Sequence, residues 1–218
     1  MALQEQLDAF EACFSAGETA HKASPETAAL LARGIAELVA SGRARNTLRA
    51  GDRAPAFKLR NRQGQTISSG SLLKHGPLVL MFYRGSWCPY CNMELDAMKA
   101  ALPKLAAAGA RVVAVSPELA SIQDDGQLTM LSDPHNRTAA LFGLAYELPV
   151  YVADLYRKLG NDLPRLNGDD SWTLPMTARF VIGSDGVVLY SEVHPDYTIR
   201  AEPENVLPVL RALHLGAR

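Results

Sequence analysis

Apolar residues along this chain recur with two different periods. Over the first fifty residues the spacing is helical: Leu3, Leu7, Phe10 and Phe14 keep one face, and Leu31, Ile35, Leu38 and Val39 keep another. Ser24 suits the N-cap of the second helix, Pro25 its first turn and Gly42 its stop. Cys13 falls inside the first stripe and reads as a small core residue. From Gly51 onward strands alternate with helices, which predicts an α/β sheet. Short strand signals around 57–59 and 66–67 precede the continuous apolar run from Leu78 to Tyr83. A helix from about Pro89 through Leu105 then presents Leu95, Met98, Leu102 and Leu105 on one face. Residues 111–115 read as a buried parallel strand, 128–131 as another, and 134–163 as mainly helical. The chain closes with a hairpin, 179–182 and 187–190 around Gly183-Ser184-Asp185-Gly186, and a helix carrying Val206, Leu207, Leu210 and Leu213.

Composition narrows the class without identifying the chemistry. With 218 residues, 48% hydrophobic and 21% charged, the chain is expected to be globular rather than disordered. A net charge of -1 gives no basic footprint for nucleic acid and no polybasic membrane patch. The N-terminus is acidic and amphipathic where a secretory signal is basic and then apolar, and no apolar run approaches the roughly 20 residues that span a bilayer. A cytoplasmic protein in a reducing compartment, with no nucleic acid and no membrane among its partners, is the expectation.

The chemistry is concentrated in Cys88-Pro89-Tyr90-Cys91. Placed directly after the apolar strand, it sets two thiols at a helix N-terminus, where unpaired amides and the positive end of the helix dipole favour a thiolate. Two intervening residues put the second sulfur about one turn on, close enough to form a disulfide with the first. A zinc site would need two more Cys or His ligands at local spacing, and His21, His75, His135, His194 and His214 are scattered singly. A permanent structural disulfide is disfavoured in a chain long enough to bury its own core. Redox chemistry keeps most of the weight.

These residues resemble the redoxin group that includes alkyl hydroperoxide reductase, the thiol-specific antioxidants and peroxiredoxin-like proteins. Gly51-Asp52-Arg53-Ala54-Pro55-Ala56-Phe57 is similar to the group's opening segment, and 82–92 to the active-site segment of its C-x-x-C branch. Leu174-Pro175 ahead of Phe180, and Asp196-Tyr197-Thr198 leading to Arg200, resemble later segments of that branch. The resemblance implies a thioredoxin-like fold, a central mixed sheet flanked by helices, over residues 51–218. Residues 1–50, which it covers poorly, read from their helical periodicity as a packing or dimerising extension, with an amphipathic partner helix as the alternative; a homodimer is one expectation. One departure stands out: where typical peroxiredoxins carry a threonine three residues before the peroxidatic cysteine, this chain has Gly85-Ser86-Trp87, and an aromatic residue before C-x-x-C is closer to thioredoxin.

By that resemblance Cys88 attacks a peroxide, Cys91 resolves the sulfenic acid as a Cys88–Cys91 disulfide, and an external dithiol such as thioredoxin recycles it, with no metal, haem or flavin. Arg84, Ser86 and Arg179 are candidates to stabilise charge on the leaving oxygen. The alternatives are a surface cation for Arg84, a turn residue for Ser86 and an exposed strand-end cation for Arg179. Pro175 is expected to face the cysteine pair through a cis peptide bond, and Trp87 and Trp172 to wall the site or pack the core. Tyr197 and Arg200 read as anchors of the C-terminal segment. Thiol-dependent peroxidase leads; thiol–disulfide oxidoreductase and redox-responsive interaction protein remain open.

Overall fold

A computed structural model describes residues 1–18, 24–119 and 126–215, of which 214 and 215 as backbone only. The apolar run that dominates the sequence becomes β3 (Leu78–Phe82), every residue of which is buried. Its two faces feed two cores, as the period of two requires. Val79 and Met81 face one core with Leu95 and Met98, while Leu80 and Phe82 face the other with Phe142 and Phe180. β3 is central because β4 (Arg111–Ser116) pairs with it in parallel on one side and β8 (Thr177–Ile182) antiparallel on the other. Outside these lie β5 (Thr129–Ser132), then the hairpin of β1 (Lys58–Asn61) and β2 (Thr66–Ser68), and on the far edge β9 (Val188–His194). The seven-stranded mixed sheet has the order β2-β1-β5-β4-β3-β8-β9.

The crossover from β3 to β4 runs through α4 (Pro89–Ala107), whose Leu95, Met98, Ala101 and Leu105 are buried. Together with β8, β9 and α8 (Leu207–Leu215), this makes the β-α-β and β-β-α halves of a thioredoxin-like fold. The remaining helices are α1 (Leu3–Ser15), α2 (Pro25–Ala40), α3 (Ser69–Leu73), α5 (Arg137–Leu141), α6 (Val150–Lys158) and α7 (Leu163–Asn167). Ser24 caps α2 by accepting from the Thr27 amide, and Gly42 leaves the helix with φ +66, as the sequence indicates. Among the described residues no helix is long and apolar enough to cross a membrane.

Several expectations are corrected. Cys13 is exposed, because the buried stripe of α1 is narrower than its sequence suggests: Leu3, Leu7 and Phe14 go inside and position 13 turns outward. The apolar face of α2 contains no buried residue; Leu31 and Leu38 are only partly covered. The stretch 134–163, expected to be mainly helical, is interrupted by β6 (Ala145–Glu147), which pairs antiparallel with β7 (Thr173–Pro175) in a separate two-stranded sheet. No cis peptide bond occurs among the described residues, so Pro175 is trans; it ends β7 as an extended residue opposite Ala145. His21 lies outside the described residues, as does the side chain of His214.

The N-terminal helix is joined to the body through its core contacts and through polar ones. The Leu3 amide donates to Glu202 at 2.5 Å, and Gln4 accepts from the Arg200 amide at 2.8 Å. Leu7→Ala should therefore lower the unfolding free energy of the reduced protein by about 2–4 kcal/mol. Cys13→Ser, at an exposed position, should change it by less than about 0.5 kcal/mol in the same urea titration.

Candidate active site

The chain leaves β3 at Tyr83 and reaches the first turn of α4 within six residues, with Cys88 as the helix N-cap. Gly85 makes that turn possible. Its φ of +147 is open to glycine alone, and a Cβ there would stand 2.3 Å from Trp87 Nε1 and 3.3 Å from the Glu118 carboxyl carbon. The Cys88 amide donates to the Gly85 carbonyl at 3.2 Å, and the Asn92 side chain donates to the Ser86 carbonyl at 2.8 Å. Both cysteines are reduced and buried. Cys88 is 1% exposed, at the floor of a cleft of about 730 Å³.

Arg84, a candidate to stabilise charge at the site with a surface cation as the alternative, is 2% exposed. Its Nη1 lies 3.7 Å from the Cys88 sulfur and its Nη2 donates to the Tyr156 hydroxyl. Aromatic faces enclose the guanidinium: Cζ is 3.8 Å from the Tyr197 ring centroid, 4.9 Å from Trp87 and 5.4 Å from Tyr156. Among the described residues no carboxylate forms an ion pair with it; the charged and ionisable groups it feels are tyrosines and Cys88. A buried cation so placed strongly favours an anion beside it.

The two thiols shift in opposite directions. Burial pushes Cys88 up, but a hydrogen bond donated by the Cys91 thiol, the Arg84 guanidinium, the Cys91 backbone N–H and Arg200 together bring it down to about 6. Burial raises Cys91, and its role as donor to the Cys88 sulfur raises it further. One proton shared by the pair therefore resides on Cys91, with Cys88 as the nucleophile.

Behind Cys91 lies a second charged group, fully removed from solvent. Arg200 Nη2 is 3.9 Å from the Cys91 sulfur, while its Nε donates to Glu94 at 2.6 Å. Arg179 donates to the other oxygen of Glu94 at 3.0 Å and to the Glu202 carbonyl at 2.9 Å. Arg179 is thus a buried residue at mid-sheet, neither an exposed strand end nor a contact of either cysteine; it reaches the pair only through Glu94 and Arg200. Ser86 is also committed elsewhere. Its amide and hydroxyl donate to the two oxygens of the buried Glu118 at 2.9 and 2.8 Å, which ties the turn to the end of β4. Burial holds the Glu118 carboxyl above its usual value.

Of the two tryptophans, Trp87 lines the cleft and packs edge-on against Tyr156 at 5.2 Å. Trp172 does not; it lies under Arg157 at 4.2 Å, at the start of β7. Pro175, in the small sheet, does not border the cleft over Cys88. Tyr197 and Arg200, read as anchors, reach both halves of the site. Sequence reasoning missed Glu94, Glu118 and Tyr156. Glu94 had a signal, a carboxylate one turn past Cys91 and adjacent to the buried Leu95 of the helix stripe; the other two converge only through tertiary structure.

Comparison with known proteins agrees with this geometry. Residues 50–191 match the AhpC/TSA family. The chain is similar to the chloroplastic peroxiredoxin Q of Populus jackii, 29% identical over 160 residues, covering 69% of this chain and 66% of that protein. It is 30% identical over 105 residues to a putative peroxiredoxin, bcp, of Haemophilus influenzae, covering 45% of this chain and 67% of that one. The matches thus span about two thirds of these relatives' lengths. Among solved structures, peroxidoxin BcpB of Mycobacterium tuberculosis shares the fold at TM-score 0.59 and 23% identity, covering 76% of this chain and 98% of that one. A reduced 2-Cys peroxiredoxin of Plasmodium vivax does so at TM-score 0.55 and 15% identity, covering 77% and 82%.

Two outcomes follow from the charges. Alkylation of Cys88 by iodoacetamide should rise with pH through a midpoint near 6, and Arg84→Gln should move that midpoint upward, since the thiolate loses a cation while burial remains. Glu94→Gln leaves Arg179 and Arg200 without their shared anion in a dry interior, and should cost about 3–5 kcal/mol, read as a lowered Tm of the reduced protein.

Proposed function

The chain belongs to the AhpC/TSA family, and from that premise we propose that it is a thiol-dependent peroxidase that uses Cys88 as peroxidatic cysteine and Cys91 as resolving cysteine. The observation that carries the reading is the paired shift of the two thiols, one held as a thiolate beside Arg84 and the other kept protonated one turn away. The Cys88 thiolate attacks the distal oxygen of ROOH, the O–O bond breaks, and the products are Cys88 sulfenic acid and an alkoxide that takes a proton to leave as ROH. Arg84, within reach of the sulfur, stabilises the negative charge as it passes from sulfur to the leaving oxygen.

Once Cys88 is a neutral sulfenic acid, Cys91 no longer donates to a thiolate, and Arg200 favours its ionisation. Cys91 then attacks Cys88, water leaves, and a disulfide remains. An external dithiol of the thioredoxin type reduces that disulfide to two thiols and becomes oxidised itself. Burial of Cys88 supports a small substrate over a folded disulfide partner in the oxidising half-reaction. For a protein dithiol to reach the sulfurs, the N-terminal helices over the cleft must give way, and α2, which holds no buried residue, is the element able to do so.

Stopped-flow tryptophan fluorescence of the reduced protein with sub-stoichiometric peroxide tests this, with Trp87 as the reporter next to Cys88. The expected result is a fast phase that disappears in Cys88→Ser, with Cys91→Ser accumulating sulfenic acid that a dimedone probe captures. Oxidation no faster than that of a free thiol, with Cys91→Ser instead trapping a mixed disulfide with a protein, would transfer the assignment to thiol–disulfide exchange.

A further inference from the structure

The cleft above Cys88 is much larger than hydrogen peroxide needs. Its volume of about 730 Å³ lies in the range of small-molecule sites. One wall comes from α2, through Ala28, Leu31, Ala32, Ile35, Ala36 and Val39. Phe14 of α1 adds to that side, and Trp87, Pro89 and Tyr197 face it from the body. Both helices lie outside residues 50–191, so this wall is an addition to the part of the chain that matches the family. Their apolar stripe is left without buried residues in α2 because it borders the cleft instead of the core.

Charge on the lining is equally specific. Among the described residues the only ionisable carboxylates and cations bordering the cleft are Glu11, Asp196 and Arg84. Arg84 is at the floor, already matched to Cys88, while Glu11 receives the Tyr90 hydroxyl and Asp196 receives the Thr198 hydroxyl at 2.6 Å. Among the described residues no cation lines the walls to receive a carboxylate head, and the two acids oppose one.

Resting on the peroxidase reading, we propose that α1 and α2 form a specificity wall that selects bulky, uncharged, apolar hydroperoxides over both hydrogen peroxide and anionic fatty-acid hydroperoxides. The apolar body of the substrate occupies the space between α2 and Trp87, which directs its O–O group to the Cys88 sulfur beside Arg84. Burial of that body is the source of the preference, because hydrogen peroxide has nothing to place there.

The test compares kcat/KM of the reduced full chain for cumene hydroperoxide, hydrogen peroxide and linoleic acid hydroperoxide. Cumene hydroperoxide is expected to lead each of the others by about tenfold or more, the order of discrimination an apolar pocket supplies. Ala36→Phe, which fills the wall from an exposed helix position, should cut the cumene-to-hydrogen-peroxide ratio by about tenfold; Ala32→Phe, one turn earlier, should do the same, while Cys13→Ser leaves the ratio unchanged. Equal rates for the three peroxides, or a ratio that neither filling variant moves, overturns the proposal. Cumyl alcohol, which has no O–O bond, separates the wall from the chemistry. Saturable quenching of Trp87 fluorescence that Ala36→Phe abolishes, without Cys88-dependent turnover of any peroxide, supports the wall and overturns the peroxidase reading. Turnover of peroxide without such binding overturns the wall and leaves the peroxidase reading in place.

Discussion

Arg84 is a cation shut inside the protein with no carboxylate among the described residues to answer it, and the site is organised around that imbalance. Isolated burial of a guanidinium is prohibitive, so its surroundings must supply negative charge or electron-rich surface. Three aromatic faces supply part, each worth about 0.5–2 kcal/mol. The remainder comes from the sulfur of Cys88, the neighbour whose thiol is brought down to about 6. Reactivity and structural stability are thereby linked in one contact: the thiolate stabilises the arginine as much as the arginine stabilises the thiolate.

The second arginine system does the opposite by design of its partners. Arg179 and Arg200 share Glu94, so the cation next to Cys91 already has its anion, while burial and the hydrogen bond to Cys88 keep Cys91 a thiol. A helix N-terminus alone would favour ionisation of both sulfurs to different degrees; burial of both, the hydrogen bond that Cys91 donates to Cys88, and Arg84 beside Cys88 assign one as anion and the other as proton donor. Glu94 contributes from within α4 itself, which fixes the position of Arg200 relative to the helix that carries both cysteines.

Local signals were strong where one element decided the outcome. The β3 run, the cysteine pair, the caps of α2 and the β8–β9 turn were legible because strand burial, helix termini and glycine-rich turns act over a few residues. β6 and β7 were not, since strands of three residues are specified by each other across a long separation and carry little pattern of their own. Arg179 illustrates the same limit: nothing in Thr177-Ala178-Arg179-Phe180 distinguishes a buried arginine from an exposed one until Glu94 is placed opposite it. The periodicity of α2 marks an apolar face, but periodicity reports only that water is avoided. Whether the face meets a filled core or an open cleft depends on the body it lies against.

The absence of any buried residue in α2 also separates two scales of stability within the molecule. Strands β3 and β8, buried along their whole length, are expected to exchange their amides only with global unfolding, whereas a helix held by half-covered side chains can detach at a fraction of that free energy. The floor of the site and its wall thus have different melting behaviours. On the proposed specificity wall, warming erodes discrimination among substrates before it erodes chemistry at the sulfur, with selectivity lost well below the temperature of global unfolding.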